Sequence, residues 1–171
     1  RGAKLVVGVA PYLQPKSEFR VHVVSFRRFS SSTLSRIKSI NYVENVLGRR
    51  EAKRLGFDEG LFLNERGEVA EGCTTNIFWI KGNTLFTPHL DCGILPGITR
   101  KAVISLATAL GLEVREERRS PSELLAADTV FLTNALVGMV QVVEIDGQKL
   151  RRGSKWYQRL RDELFQTLRW K

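Results

Sequence analysis

The 171-residue sequence is poor in residues that build metal or disulfide frameworks, with two cysteines (Cys73, Cys92) and two histidines (His22, His89). The cysteines lie nineteen positions apart and form no Cys-x-x-Cys pair. That excludes a zinc-ribbon spacing and a disulfide-dense scaffold, so no metal site is expected and a reduced, cytoplasmic protein is the simplest reading. No stretch approaches the ~18 consecutive apolar residues of a membrane span. The run from Leu5 to Ala10 is too short, and too soon followed by polar sequence, for a signal peptide. The chain starts at Arg1 rather than at a methionine, and a trimmed or excised chain is expected.

What is present describes an ordinary globular domain: 43% hydrophobic and 26% charged residues, which excludes a wholly disordered or collagen-like chain. At this length roughly 70% of the unfolded chain's surface can be buried, so one domain needs no covalent staple. Lysine and arginine (27) exceed aspartate and glutamate (18), a formal charge of +9. Such a balance raises nucleic acid, an anionic membrane or a small anion as partners. The basic residues fall in scattered pairs, Arg27-Arg28, Arg49-Arg50, Arg118-Arg119 and Arg151-Arg152. They read as solvated faces, and neither a nucleic-acid stripe nor a membrane surface is expected.

The pattern along the chain predicts strands at Leu5 to Ala10 and Arg20 to Phe26, linked through Pro11 and Pro15. Tyr42, Val43, Val46, Leu47 and Leu55 follow helical spacing up to Gly56. Short strands at 60–63, 69–70, 76–80 and 84–86 are punctuated by Asn64-Glu65-Arg66-Gly67 and Gly82-Asn83, and read as an antiparallel meander. Leu95-Pro96-Gly97 opens a second helix ending at Gly111, with a strand expected from Leu112 to Val114. Ser120-Pro121-Ser122-Glu123 has the form of a capping box. Strands at 129–133 and 140–145 flank the last turn, Asp146-Gly147, and Ser154 precedes a final helix with Leu160, Leu164, Phe165 and Leu168 on one stripe. Runs of strands interrupted by a few helices argue an α+β fold rather than regular βαβ alternation.

Four short segments could carry chemistry. Lys38 stands between Ile37 and Ile40, and an apolar setting favours the neutral amine that attacks a carbonyl. Taken alone, it reads as a lysine snorkelling at a strand-to-helix junction. The free amides of Ile98 and Thr99, after Pro96-Gly97, suit a phosphate at a helix N-terminus, but an ordinary Pro-Gly turn has the same sequence. Glu71, followed by Gly72-Cys73-Thr74-Thr75-Asn76, is placed to pair with a ring nitrogen or to be an exposed loop acid. Thr133-Asn134-Ala135-Leu136 either touches a ligand or only closes a strand.

Taken together and in order, these segments resemble the fold-type IV pyridoxal-phosphate enzymes of the class IV aminotransferase family. The carrying residues are Ile37-Lys38-Ser39-Ile40-Asn41-Tyr42, Gly56-Phe57-Asp58-Glu59-Gly60 with Leu63-Asn64, and Gly67 to Gly72 through Asn76-Ile77-Phe78. Thr87-Pro88, Leu95-Pro96-Gly97-Ile98-Thr99-Arg100 and Thr133-Asn134-Ala135-Leu136 complete the set. The resemblance implies pyridoxal 5'-phosphate as cofactor, Lys38 as its Schiff-base lysine and Glu71 as the partner of its ring nitrogen. It further implies Ile98 and Thr99 at the phosphate, with Asn134 and Tyr42 as further cofactor contacts. The spacing from Lys38 to Tyr42 is one residue shorter than in branched-chain aminotransferases, and Gln141 replaces a usual proline.

Asn134-Ala135-Leu136 is most similar to the 4-amino-4-deoxychorismate lyase branch, which implies release of 4-aminobenzoate and pyruvate in folate biosynthesis. A branched-chain or D-amino acid aminotransferase is the alternative, and a non-catalytic, truncated or basic binding domain the second. The resemblance also implies a pseudo-barrel of mainly antiparallel strands with flanking helices, and a homodimer. Residues 1–171 then correspond to the large cofactor-binding domain, with the family's smaller N-terminal domain absent from this chain.

Overall fold

The computed structural model of the chain describes residues 4–9 and 16–168. Nine strands form one mixed sheet: β1 (Glu18–Val23), β2 (Glu59–Leu63), β3 (Val69–Gly72), β4 (Asn76–Lys81), β5 (Thr84–Pro88), β6 (Glu113–Glu117), β7 (Thr129–Asn134), β8 (Gly138–Ile145) and β9 (Gln148–Lys149). Four helices accompany it: α1 (Val43–Arg54), α2 (Ile98–Ala109), α3 (Ser122–Leu125) and α4 (Lys155–Thr167). The strand order is β3-β2-β1-β8-β7-β4-β5-β6, with β9 paired to β8. The pairs β1–β2, β1–β8 and β5–β6 are parallel, and the other five antiparallel. The sheet curls until its two ends meet, where the Val69 amide donates to the Arg119 carbonyl at 2.8 Å, just past β6. This is the α+β pseudo-barrel expected from the sequence.

The central strands are buried on both faces, which is why β4 and β7 read as continuous apolar runs rather than alternating ones. Inside the curl lie Val21, Leu61, Ile77, Trp79, Val130 and Leu132. On the outer face, Phe78, Ile80, Leu85 and Phe131 pack against Val103 and Ala107 of α2 and Leu160 and Leu164 of α4. Each such side chain contributes roughly 1.5–3 kcal/mol on burial. Trp79 and Phe62 are core residues, and Phe86 stacks on Trp79 with ring centroids 5.6 Å apart.

Several expectations are corrected. Residues 4–9 form no strand, and Leu5, Val6, Val7 and Val9 are exposed; Ala10, Pro11 and Pro15 lie outside the described residues. The segment 59–88 is two hairpins rather than a meander, because β3 does not pair with β4. The chain turns at Gly72–Thr75, where the Gly72 amide donates to the Thr75 carbonyl at 2.7 Å, and β4 goes on to pair with β7. No capping box forms at Ser120: its carbonyl accepts from the Glu123 amide while its hydroxyl pairs with that of Ser122. Helix α1 forms as predicted, yet its apolar stripe points outward, with Val43, Val46, Leu47 and Leu55 between 48% and 63% exposed. It meets the sheet through Gly48 and Ala52 instead. A Cβ on Gly48 would lie 2.8 Å from the Cys73 sulfur, and that close approach brings the start of α1 against the β3–β4 turn.

Candidate active site

All six residues singled out from the sequence, Lys38, Tyr42, Glu71, Ile98, Thr99 and Asn134, line one cavity of about 790 Å³. That volume suits a cofactor-sized ligand. Its floor is the β2–β3 hairpin and the β3–β4 turn; its walls are the segment preceding α1, the N-terminus of α2 and the β7–β8 turn.

Glu71, at the end of β3, is held on both carboxylate oxygens. One carboxylate oxygen accepts from the Arg28 guanidinium; the other accepts from the Asn76 side-chain amide at 3.0 Å and the Leu95 backbone amide at 3.0 Å. Burial pushes its pKa up to about 7, against the opposing pull of Arg28, the Leu95 amide and Lys38. A carboxylate so enclosed and so oriented is suited to meet a cationic N–H arriving from the cavity.

Lys38 lies in the link to α1, with its ammonium 4.9 Å from the centre of the Tyr42 ring. The apolar enclosure read from Ile37 and Ile40 is absent, since those side chains are 52% and 103% exposed. Lys38 is positioned by the Tyr42 ring and by proximity to Glu71 rather than by an apolar sleeve. Tyr42, which caps α1, donates its hydroxyl to the Cys73 carbonyl at 2.9 Å, and Asn45 donates to the same oxygen at 2.7 Å. Burial, with Glu71 and Glu59 nearby, raises the Tyr42 pKa, so its hydroxyl stays protonated.

At the opposite wall Gly97 is the N-cap of α2 and has no side chain to occupy the first helical amides. The Lys101 amide bonds back to the Gly97 carbonyl, which leaves those of Ile98 and Thr99 at the helix end facing the cavity. Gly97 is required for a second reason: a Cβ there would sit 2.2 Å from the Asn76 side-chain oxygen. Asn134, on the same cavity, is also engaged within the protein. Its amide donates to the Thr74 carbonyl at 3.1 Å, and its oxygen accepts from the Leu136 and Val137 amides at 2.8 Å each. Its side chain therefore holds the β7–β8 turn while still lining the cavity.

Two further residues of the cavity, Arg28 and Asn76, are not apparent from the sequence. The Arg27-Arg28 pair reads as a solvated face, yet Arg28 is 4% exposed and its guanidinium lies over the Phe62 ring at 4.2 Å. The signal was alternation: Val24, Phe26 and Arg28 share a face, and the Arg28 amide continues the pairing beside β2 through the Leu63 carbonyl. Asn76, quoted only within a motif, ties Glu71 to the Leu95 carbonyl ahead of α2.

The donor set is therefore an amine, a buried carboxylate and a pair of free helix amides around one cavity. It fits a ligand that combines a carbonyl, a protonatable ring nitrogen and a phosphate. Among the described residues no cluster of three or more histidine, cysteine or acidic side chains could hold a metal ion, and no helix is long and apolar enough to cross a membrane.

Comparison with known proteins gives a consistent picture. The family model described as amino-transferase class IV matches residues 2–145. Aminodeoxychorismate lyase of Bacillus subtilis (strain 168) is 40% identical over 124 residues, covering 72% of this chain and 42% of that protein. A Legionella pneumophila structure, provisionally described as a 4-amino-4-deoxychorismate lyase, superimposes with a TM-score of 0.87 at 34% identity, over 91% of this chain and 58% of the other. The PLP-form of branched-chain amino acid aminotransferase from Thermobaculum terrenum gives a TM-score of 0.83 at 33% identity, over 88% and 51%. The chain thus spans about half the length of the relatives it matches.

Proposed function

This chain belongs to the class IV amino-transferase family, and on that premise we propose that it is the cofactor-binding domain of a pyridoxal-phosphate enzyme acting at the Cα of an amino-bearing substrate. The observation that carries the reading is the convergence of Lys38, Glu71 and the free N-terminus of α2 on one cavity. The cofactor supplies an aldehyde to bind the substrate amine and a conjugated ring to take up the electron pair released at Cα.

The chain's own residues do the rest. The Lys38 amine anchors the aldehyde and, once displaced by the substrate, is the base that takes the Cα proton. Glu71, held on both oxygens, keeps the ring nitrogen protonated. The amides of Ile98 and Thr99, the Thr99 hydroxyl and the backbone of the Asn134–Val137 turn bind the phosphate. Tyr42 confines Lys38 beside the ring.

Within the family we assign the lyase reaction, 4-amino-4-deoxychorismate to 4-aminobenzoate and pyruvate. Asn134-Ala135-Leu136 at the β7–β8 turn favours it, and the identity to the Bacillus subtilis lyase is compatible with it. In this reaction Lys38 returns its proton to the departing enolpyruvyl carbon. An aminotransferase is the second reading, supported by the similarity to the branched-chain enzyme; there Lys38 delivers the proton to the cofactor carbon instead.

Borohydride reduction in the presence of pyridoxal phosphate, followed by peptide mapping, tests the common core. A pyridoxyl group on Lys38 is expected, and its absence overturns the reading. Incubation with aminodeoxychorismate, a branched-chain amino acid and D-alanine then separates the branches: 4-aminobenzoate marks the lyase, keto-acid formation the aminotransferase. The proposal extends to a cytoplasmic homodimer, as the family resemblance implies. Sedimentation of the wild type should then show a dimer, and a monomer at all concentrations overturns that extension.

A further inference from the structure

A second buried carboxylate lines the cavity without a place in the chemistry above. Glu59, at the start of β2, is 2% exposed. One oxygen accepts from the Gly60 amide at 3.0 Å and the other from the Thr74 hydroxyl. Burial raises its pKa, while Thr74, Gly60 and the Arg49 charge pull the other way. A buried carboxyl is retained at a cost unless its bonds do something elsewhere.

Those bonds lead away from Glu59 toward the β7–β8 turn. Thr74 sits in the β3–β4 turn, and its carbonyl accepts the Asn134 side-chain amide at 3.1 Å. Asn134 in turn holds the Leu136 and Val137 amides. The β7–β8 turn so fixed lies beside the α2 N-terminus: Thr133 is the register partner of Asn76, and Asn76 bonds the Leu95 carbonyl and packs against Gly97. Glu59, Thr74 and Asn134 thus form a three-residue relay from β2 to the β7–β8 turn, next to the α2 N-terminus to which the proposed function assigns the phosphate.

We propose that Glu59 and Thr74 are positioning residues that set the Asn134–Val137 turn against the start of α2 and so fix how tightly the cavity grips the phosphate group of its ligand. The proposal rests on the pyridoxal-phosphate reading given above. It differs from a general structural role in what it moves. Loosening the relay weakens binding of a phosphate-bearing ligand and leaves the same ring without phosphate almost unaffected, because Lys38 and Glu71 are held by other partners.

The experiment compares equilibrium binding of pyridoxal phosphate and pyridoxal, read by absorbance, in the wild type and in Thr74→Val, Thr74→Ser and Glu59→Gln. Thr74→Val removes the hydroxyl at nearly constant volume and should weaken pyridoxal phosphate by about tenfold or more, with pyridoxal changed less than about twofold. Thr74→Ser keeps the donor and should restore wild-type behaviour. Glu59→Gln, which keeps one acceptor, should give a smaller loss of the same selectivity, and it carries the test if Thr74→Val does not fold. Hydrogen exchange of the Leu136 and Val137 amides should quicken in step. Equal losses for both ligands, or none in either variant, overturn the relay while leaving the cofactor assignment intact. A wild type that binds neither ligand overturns the cofactor assignment, and the relay with it.

Discussion

Arg28 and Glu71 form an ion pair inside the cavity wall, with side chains only 5% and 8% exposed, and neither belongs to the helix or turn that the other supports. Such a pair is costly to break from one side. Arg28→Met should strand the Glu71 carboxylate, cost about 3 kcal/mol in chemical denaturation and raise the Glu71 pKa further. The double variant Arg28→Met, Glu71→Gln should recover part of that loss, because no unpaired charge remains.

The same carboxylate sets a pH dependence. Burial holds the folded-state pKa of Glu71 at about 7, above the ordinary value of 4.5. Between those values the folded protein keeps a proton that the unfolded chain releases. Stability should therefore fall as pH rises from about 4.5 to about 7, by up to about 3 kcal/mol, and then level off. In Glu71→Gln this contribution disappears, which urea titrations across pH 5 to 8 would reveal.

Gly97→Ala places a methyl group 2.2 Å from the Asn76 side-chain oxygen. The clash must push Asn76 off Glu71 or move the start of α2. Expected results are a loss of about 1–3 kcal/mol in stability and weaker binding of pyridoxal phosphate, measured by thermal unfolding and absorbance titration. Unchanged binding would show that the helix end is not the phosphate site.

Gly48→Ala acts on the opposite wall. Its added carbon would lie 2.8 Å from the Cys73 sulfur and 2.9 Å from the Phe62 ring, so α1 must lift from the sheet. Tyr42 and Asn45, which bond the Cys73 carbonyl from that helix, should lose their anchor. A lowered melting temperature together with slower borohydride labelling of Lys38 is the expected signature.

Much of this site was legible in the sequence because backbone features carry it. Pro96-Gly97 announces a helix start whose amides are free, and the hairpin punctuation around Asn64 and Gly82 locates β2 to β5. Lys38 and Glu71 were found through the order of motifs, whereas nothing local distinguishes either from a surface charge. Arg28 is hidden in the sequence because a basic pair ordinarily faces water, and only the burial of Val24 and the half-burial of Phe26 on the same face reveal that it points inward. The partners of Asn134 and the outward stripe of α1 depend on contacts between segments far apart in the chain. Periodicity correctly predicts a helix over 43–54, but it cannot tell which face the sheet covers when glycine and alanine make the closest approach.

The hydrogen bond from Val69 to Arg119 has a consequence for how this sheet meets other chains. Sheet borders with unpaired peptide groups recruit further strands and seed aggregation. Here the borders, β3 and β6, turn toward one another, and β6 carries Glu113, Arg115, Glu116 and Glu117 along its five residues. A neighbouring strand would have to wedge into a rim that is already partly stitched and would meet charge at almost every position. Strand addition at β3 or β6 is therefore disfavoured against contacts made through side-chain surfaces.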